Sequence, residues 1–203
     1  MRSERRCPRV ADEPQTIPHG DALLHPPAHA ASNEVGAGIR ALLKPSLVIT
    51  AAVIVLLDQA TKSLVAAALP LYESATIIPG LLDFTHVRNT GAAFGLLNTT
   101  DLPMKGLVMV LMALVAIVAI GAYGATLRAH ENIARWGLAL VLGGAIGNLI
   151  DRARLGYVLD FVDFYTGDWH FWAFNVADAA ISVGAVLVIF DLLGLRRHAS
   201  HPV

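Results

Sequence analysis

The 203-residue chain is 55 % hydrophobic and 15 % charged, with a mean hydropathy of +0.58 and a formal net charge of -1. Such a chain is too apolar for an ordinary soluble domain and too long for a single anchor, so its composition predicts a polytopic membrane protein. No basic face or aromatic-interleaved basic stripe stands out, which argues against a nucleic-acid partner, and the lone Cys7 excludes an internal disulfide and any multi-cysteine metal site.

Residues 1–40 are rich in Pro, Ala, His and charge and hold no apolar period long enough to bury anything. They read as a disordered cytoplasmic leader, and not as a signal peptide, because a continuous apolar core of about 7 to 15 residues is missing. His19, His25 and His29 in this stretch fit a solvated tail better than a metal site. Four apolar segments follow, at about 45–69, 104–127, 134–151 and 174–195, each near the roughly 20 residues needed to cross a bilayer. Four spans return both termini to one side. Arg40, Lys44, Arg128, Arg135, Arg196 and Arg197 would share that side. Arg88, Lys105, Arg152 and Arg154 would face the other, among Glu73, Asp83, Asp101, Asp160, Asp163 and Asp168. The excess of basic residues places both termini in the cytoplasm. The division expected is a leader at 1–40, a four-helix membrane domain at 41–197 and a cytoplasmic tail at 198–203.

The inner connection "RAHENIAR" is a plain turn, whereas both outer connections are elaborate. "IIPGLLDFTHVRN" alternates in a way that suggests short strands, and "WHFWAF" carries aromatics suited to a membrane interface. Function is therefore expected on the outer side.

Ionisable residues inside a bilayer need a partner or a task. Asp58 and Lys62 in "LLDQATKSL" are spaced i,i+4, within reach of one another on one face of the first span. In "GGAIGNLIDR", Gly143 and Gly147 permit close backbone approach, while Asn148 and Arg152 share a face on which an arginine could clamp a carboxylate. Asp151 beside Arg152 reads as structural. "RNTGAAFG" supplies Asn89 and Gly91, either as a simple turn or as a loop that lets an extended peptide come close.

Asp160, Asp163 and Asp178 flank the entrance between the third and fourth spans. Two carboxylates sharing one proton supply an acid and a base for hydrolysis without a metal. With Asn175 at the N-cap, Asp178 lies in the first helical turn, where a carboxylate is favoured; ordinary helix capping would use the same two residues. The spacing of three in "VLDFVDFY" does not choose between Asp160 and Asp163 as the partner of Asp178, because they share a face in a helix and oppose each other in a strand.

Taken in order, "LDQATK", "RNTGAAFG", "GGAIGNLIDR", "GYVLDF" and "FNVADAAI" resemble the bacterial lipoprotein signal peptidases, the signal peptidase II family, over about residues 45–195. The resemblance implies an all-α polytopic protein of four transmembrane helices with a small extracytoplasmic β-sheet and a short periplasmic helix over the site. It also implies an aspartic endopeptidase of the bacterial inner membrane that cuts prolipoproteins just before a diacylglyceryl-modified cysteine, near the periplasmic face. By the same resemblance Asp160 and Asp178 form the catalytic dyad, Asp163 is demoted to a structural or interfacial role, and Asn89, Gly91, Asn148, Arg152, Asn175, Asp58 and Lys62 support the site or the substrate. No cofactor or metal is implied. The expected partners are prolipoprotein substrates and membrane lipid, with globomycin-type inhibition and a monomeric enzyme.

Other classes fit less well. A presenilin-type peptidase would carry a Gly-x-Gly-Asp element and more spans, a proton carrier would place its acids near mid-span, and an inert scaffold leaves the two acids unexplained.

Overall fold

The computed structural model describes Arg40 and residues 43–91, 104–127 and 131–193. The expected leader up to residue 39, the later part of "RNTGAAFG" and the expected tail lie outside the described residues. Four long helices and four strands follow in the order α1 (Pro45–Ala68), β1 (Ser74–Ile78), β2 (Leu82–Asn89), α2 (Lys105–Thr126), α3 (Asn132–Leu155), β3 (Val158–Thr166), β4 (Trp169–His170) and α4 (Val176–Leu192).

The helices follow local chemistry. Proline opens α1, where a missing N–H costs nothing. The third apolar segment, expected at 134–151, extends to Leu155. Counting apolar residues stops at the first charges, but the helix continues through Arg152 and Arg154, whose cations suit its C-terminal end. It stops at Gly156, whose φ of 81° is the left-handed conformation that glycine adopts without strain.

Among the described residues three helices, α1, α2 and α3, are long and apolar enough to cross a membrane. α4 has 17 residues, or about 25 Å of helix. On α2 the apolar side chains point outward, with Val115 and Val118 69 % and 70 % exposed, as a lipid-facing helix requires.

α3 is the central element and packs against α1, α2 and α4. Its glycines divide between two neighbours. A Cβ on Gly143 would meet the Ala51 backbone of α1 at 2.9 Å, while one on Gly144 would collide with the Ala177 carbonyl of α4. Small residues thus bring both helices against α3, the expected role of this stretch.

The strands form one antiparallel sheet in the order β1-β2-β3-β4. This agrees with the small sheet expected from the alternating outer loop. β2 pairs with β3 through Asp83↔Asp163, Phe84↔Val162, Val87↔Asp160 and Asn89↔Val158, with a bulge between Phe84 and Val87. Val65, Leu159 and Phe161 form a buried cluster with Leu69, Phe84, Val162 and Val176, which seats the sheet on the ends of α1 and α4. The aromatic run "WHFWAF" opens with β4 and returns along β3. Its backbone hydrogen bonds go to β3, through Phe171 N to Phe164 O at 2.8 Å and Phe174 N to Val162 O at 3.1 Å, which commits it to extended pairing.

Candidate active site

The C-terminal ends of α1 and α3, the N-terminus of α4, and strands β2 and β3 converge on one cluster of polar side chains. Phe174 is locked to β3, accepting from Phe161 N at 2.9 Å and Val162 N at 2.8 Å. The next residue, Asn175, is fully buried and turns into α4 as its N-cap.

Asn175 carries out two tasks. Its side-chain oxygen accepts from Asp178 N at 2.9 Å while Asp178 Oδ2 accepts from Asn175 N at 3.3 Å, a reciprocal capping box. Because that oxygen is committed to a backbone N–H, the amide nitrogen must point the other way. It donates to Asp160 Oδ1 at 2.7 Å. One amide therefore touches both acids singled out as a dyad, and the expected N-cap and first-turn positions hold.

β3 gives the two acids that spacing left equivalent different surroundings. In a strand, residues three apart face opposite sides. Asp160 is buried, 3 % exposed, with Asn89 Nδ2 donating to its Oδ2 at 3.0 Å. Asp163 lies opposite Asp83 and accepts from His170 Nδ1 at 2.8 Å, away from Asn175 and Asp178. Burial, then the neighbouring Asp178 carboxylate, push the Asp160 carboxyl up to about 7, against the pull of the amides of Asn89 and Asn175 and the charge of Lys62.

Behind the two acids lies a charged network. Asp58 and Lys62 pair at 2.8 Å, as their spacing predicts, and both are buried. Lys62 Nζ also donates to Asn148 Oδ1 at 2.9 Å and bonds Asp151 Oδ2 at 2.9 Å, so all three of its hydrogens are used. Asp58 Oδ1 accepts from Ala177 N at 3.0 Å, satisfying a second orphan donor at the start of α4. Gly147 makes room for that carboxylate, since a Cβ there would stand 2.7 Å from Asp58 Oδ2. Asn148 Nδ2 donates to Asp178 Oδ1 at 2.8 Å. Asp151 accepts from Leu159 N at 3.2 Å, anchoring β3 one residue before Asp160.

Arg152 does not clamp a side-chain carboxylate. Its Nη2 donates to Gly91 O at 3.1 Å, while Gly91 N donates to Asn89 Oδ1 at 3.0 Å. It thus braces the Asn89 turn and leaves its positive charge acting on Asp178, Asp160 and Asp151. All nine residues expected in the site fall in this cluster.

Two participants were not anticipated. Gln59 Nε2 is shared among Asp151 Oδ1 at 2.9 Å, Gly147 O at 3.2 Å and Asp58 Oδ2 at 3.2 Å, and its adjacency to Asp58 in an apolar helix was the available signal. His86 Nδ1 meets Leu69 O at 2.9 Å, tying β2 to the end of α1. Nothing in its strand pattern marks that contact.

Comparison with known proteins gives a consistent result. A family model described as Signal peptidase (SPase) II matches residues 50–194. The lipoprotein signal peptidase of Desulforapulum autotrophicum is 44 % identical over 154 residues, covering 76 % of this chain and 94 % of that protein. That of Geobacter metallireducens is 45 % identical over 152 residues, covering 75 % and 93 %. A solved bacterial membrane enzyme structure superimposes with a TM-score of 0.67 at 29 % identity, covering 79 % of this chain and 95 % of that one; a second gives 0.64 at 30 %, covering 74 % and 94 %.

Proposed function

The chain belongs to the signal peptidase II family, and from that premise we propose that it is a membrane aspartic endopeptidase that removes signal peptides from diacylglyceryl-modified prolipoproteins, cleaving just before the lipidated cysteine. The observation that carries the reading is Asn175, whose side chain and backbone bond both Asp160 and Asp178. Its amide donates to the Asp160 carboxylate and its backbone N–H to that of Asp178, so one residue holds both acids, and neighbouring carboxylates are poised to share one proton.

Burial beside a second carboxylate pushes Asp160 up to about 7, and the proton is assigned to it on that ground. Asp160 holds the proton and Asp178 is ionised, favoured by the first turn of α4. Water attacks the scissile carbonyl carbon while its proton passes to Asp178, and the Asp160 proton passes to the carbonyl oxygen. The resulting gem-diol then collapses: its hydroxyl returns a proton to Asp160 as the carbonyl re-forms, the C–N bond breaks, and Asp178 delivers its proton to the departing amine. Both acids end as they began.

The wider reading is of residues 41–197 as a membrane domain of four spans, α4 being the fourth, between a cytoplasmic leader at 1–40 and tail at 198–203. The acids lie toward the outer face of the bacterial inner membrane, where a substrate held by its acyl chains presents its peptide. Asn89, Gly91 and Arg152 would form the wall along which that peptide lies, with lipid contacts, globomycin-type inhibition and a monomeric state as further parts of the reading.

The test is cleavage of a diacylglyceryl-modified prolipoprotein by purified variants. Asp160→Asn and Asp178→Asn should each insert normally and lose cleavage by about 10³-fold or more, since each removes an obligatory proton carrier. Full activity in either would overturn the dyad.

A further inference from the structure

Lys62 touches neither acid of the dyad, yet it controls how the nearest amide stands. An ammonium has donors only, so Asn148 can present to it nothing but Oδ1, 2.9 Å away. The Asn148 NH2 is thereby turned toward Asp178, donating to Oδ1 at 2.8 Å. A second donor to the same Asn148 oxygen, Asn175 Nδ2 at 3.3 Å, is a weak hold, because it is shared with Asp160 Oδ1 and Leu159 O.

Resting on the dyad reading above, we propose that Lys62 is a positioning residue that assigns the two roles within the dyad: by orienting the Asn148 amide it keeps a donor on Asp178, which becomes the carboxylate that accepts the proton of water and leaves Asp160 as the acid. Without the ammonium the amide is free to turn over and offer its oxygen to Asp178. That contact is favourable only when Asp178 itself carries a proton.

The charged groups that face Asp178 are Asp58 and Lys62 from α1, Arg152 from α3 and Asp160 from β3. Arg152 acts on both acids of the dyad and so does not distinguish them. The Asn148 amide bonds Asp178 alone of the two, and this makes its orientation decisive.

The experiment is the kcat-pH profile for cleavage of a synthetic diacylglyceryl-modified prolipoprotein peptide by the full chain. In Lys62→Met the ascending limb should move up by about one pH unit or more, the equivalent of one charge-assisted hydrogen bond. Lys62→Gln, whose amide can still donate to Asn148 although its charge is gone, should move the limb clearly less than Lys62→Met does. Asn148→Leu should move it in the same direction, and combined with Lys62→Met it should add less than its separate effect. Removing the ammonium leaves Asp58 and Asp151 buried without their cation, so a Lys62→Met protein that does not fold is replaced by Lys62→Met with Asp151→Asn, which conserves the net charge of the cluster. A folded Lys62→Met protein, alone or with Asp151→Asn, whose kcat falls while the ascending limb stays unmoved, or a Lys62→Gln protein that shifts the limb as far as Lys62→Met does, overturns the proposal and leaves Lys62 a structural ion. The dyad reading fails on a different result, cleavage by Asp160→Asn or Asp178→Asn.

Discussion

The Asp160 carboxyl is pushed up to about 7 because it is buried and stands beside a second carboxylate, while only amides and the charge of Lys62 oppose those effects. Activity that depends on its proton should therefore decline as pH rises through about 7, and the descending limb of the pH-rate profile measures this. The stability consequence has a definite sign. The folded state binds this proton more tightly than the unfolded chain, so the contribution is most favourable below about pH 4 and is lost as pH rises toward about 7. Thermal melts in detergent across that window should show a downward slope that flattens in Asp160→Asn, which cannot ionise. Asp163 tests the choice of partner from the other side. It is bonded to His170 on the far side of the strand, and Asp163→Asn should retain at least about half of the cleavage rate, as a surface polar change does.

The start of α4 is the element on which the site depends. Its backbone donors are satisfied from two parts of the chain, Asp178 N by Asn175 and Ala177 N by Asp58, so the placement of the helix and of Asp178 rests on a carboxylate reaching in from α1. Gly147→Ala would force a methyl group to within 2.7 Å of that carboxylate. We expect a loss of about 1 to 3 kcal/mol in stability, the ordinary cost of overpacking, together with at least about ten-fold slower cleavage, read by thermal midpoint and kcat. Gly121→Ala is the counterpart. Nothing lies within 4 Å of its would-be Cβ on α2, so alanine should leave activity unchanged and stabilise the helix by up to about 1 kcal/mol.

At the scale of the molecule, the sheet and the polar cluster share one end of the helix bundle, and Lys44 and Arg135, two of the basic residues expected on the cytoplasmic side, belong to the other. A single cysteine at Asp168, in a Cys7→Ser background, should react with a membrane-impermeant thiol reagent added from the periplasmic side, whereas Cys7 in the parent chain should not; the reverse pattern would invert the topology. Much of this arrangement was legible beforehand. Apolar runs of membrane length give the helices, alternation in "IIPGLLDFTHVRN" gives β1 and β2, and the i,i+4 spacing of Asp58 and Lys62 gives their pair, because each depends on residues close in the chain. The backbone course of "WHFWAF" was not legible, since its pairing to β3 depends on a neighbouring strand. Local periodicity likewise left Asp160 and Asp163 equivalent, and their resolution required knowing that the segment is a strand and which of its faces meets α4. The longest bonds of Asn148, Gln59 and Asp58 reach 86, 92 and 119 positions along the sequence, to partners that no local pattern encodes. What the sequence determined was the set of helices, their polar interruptions and the family of motifs. Only the tertiary structure decided which amide faces which acid, because a hydrogen-bond donor acquires a direction when its partners are brought to it from other parts of the fold.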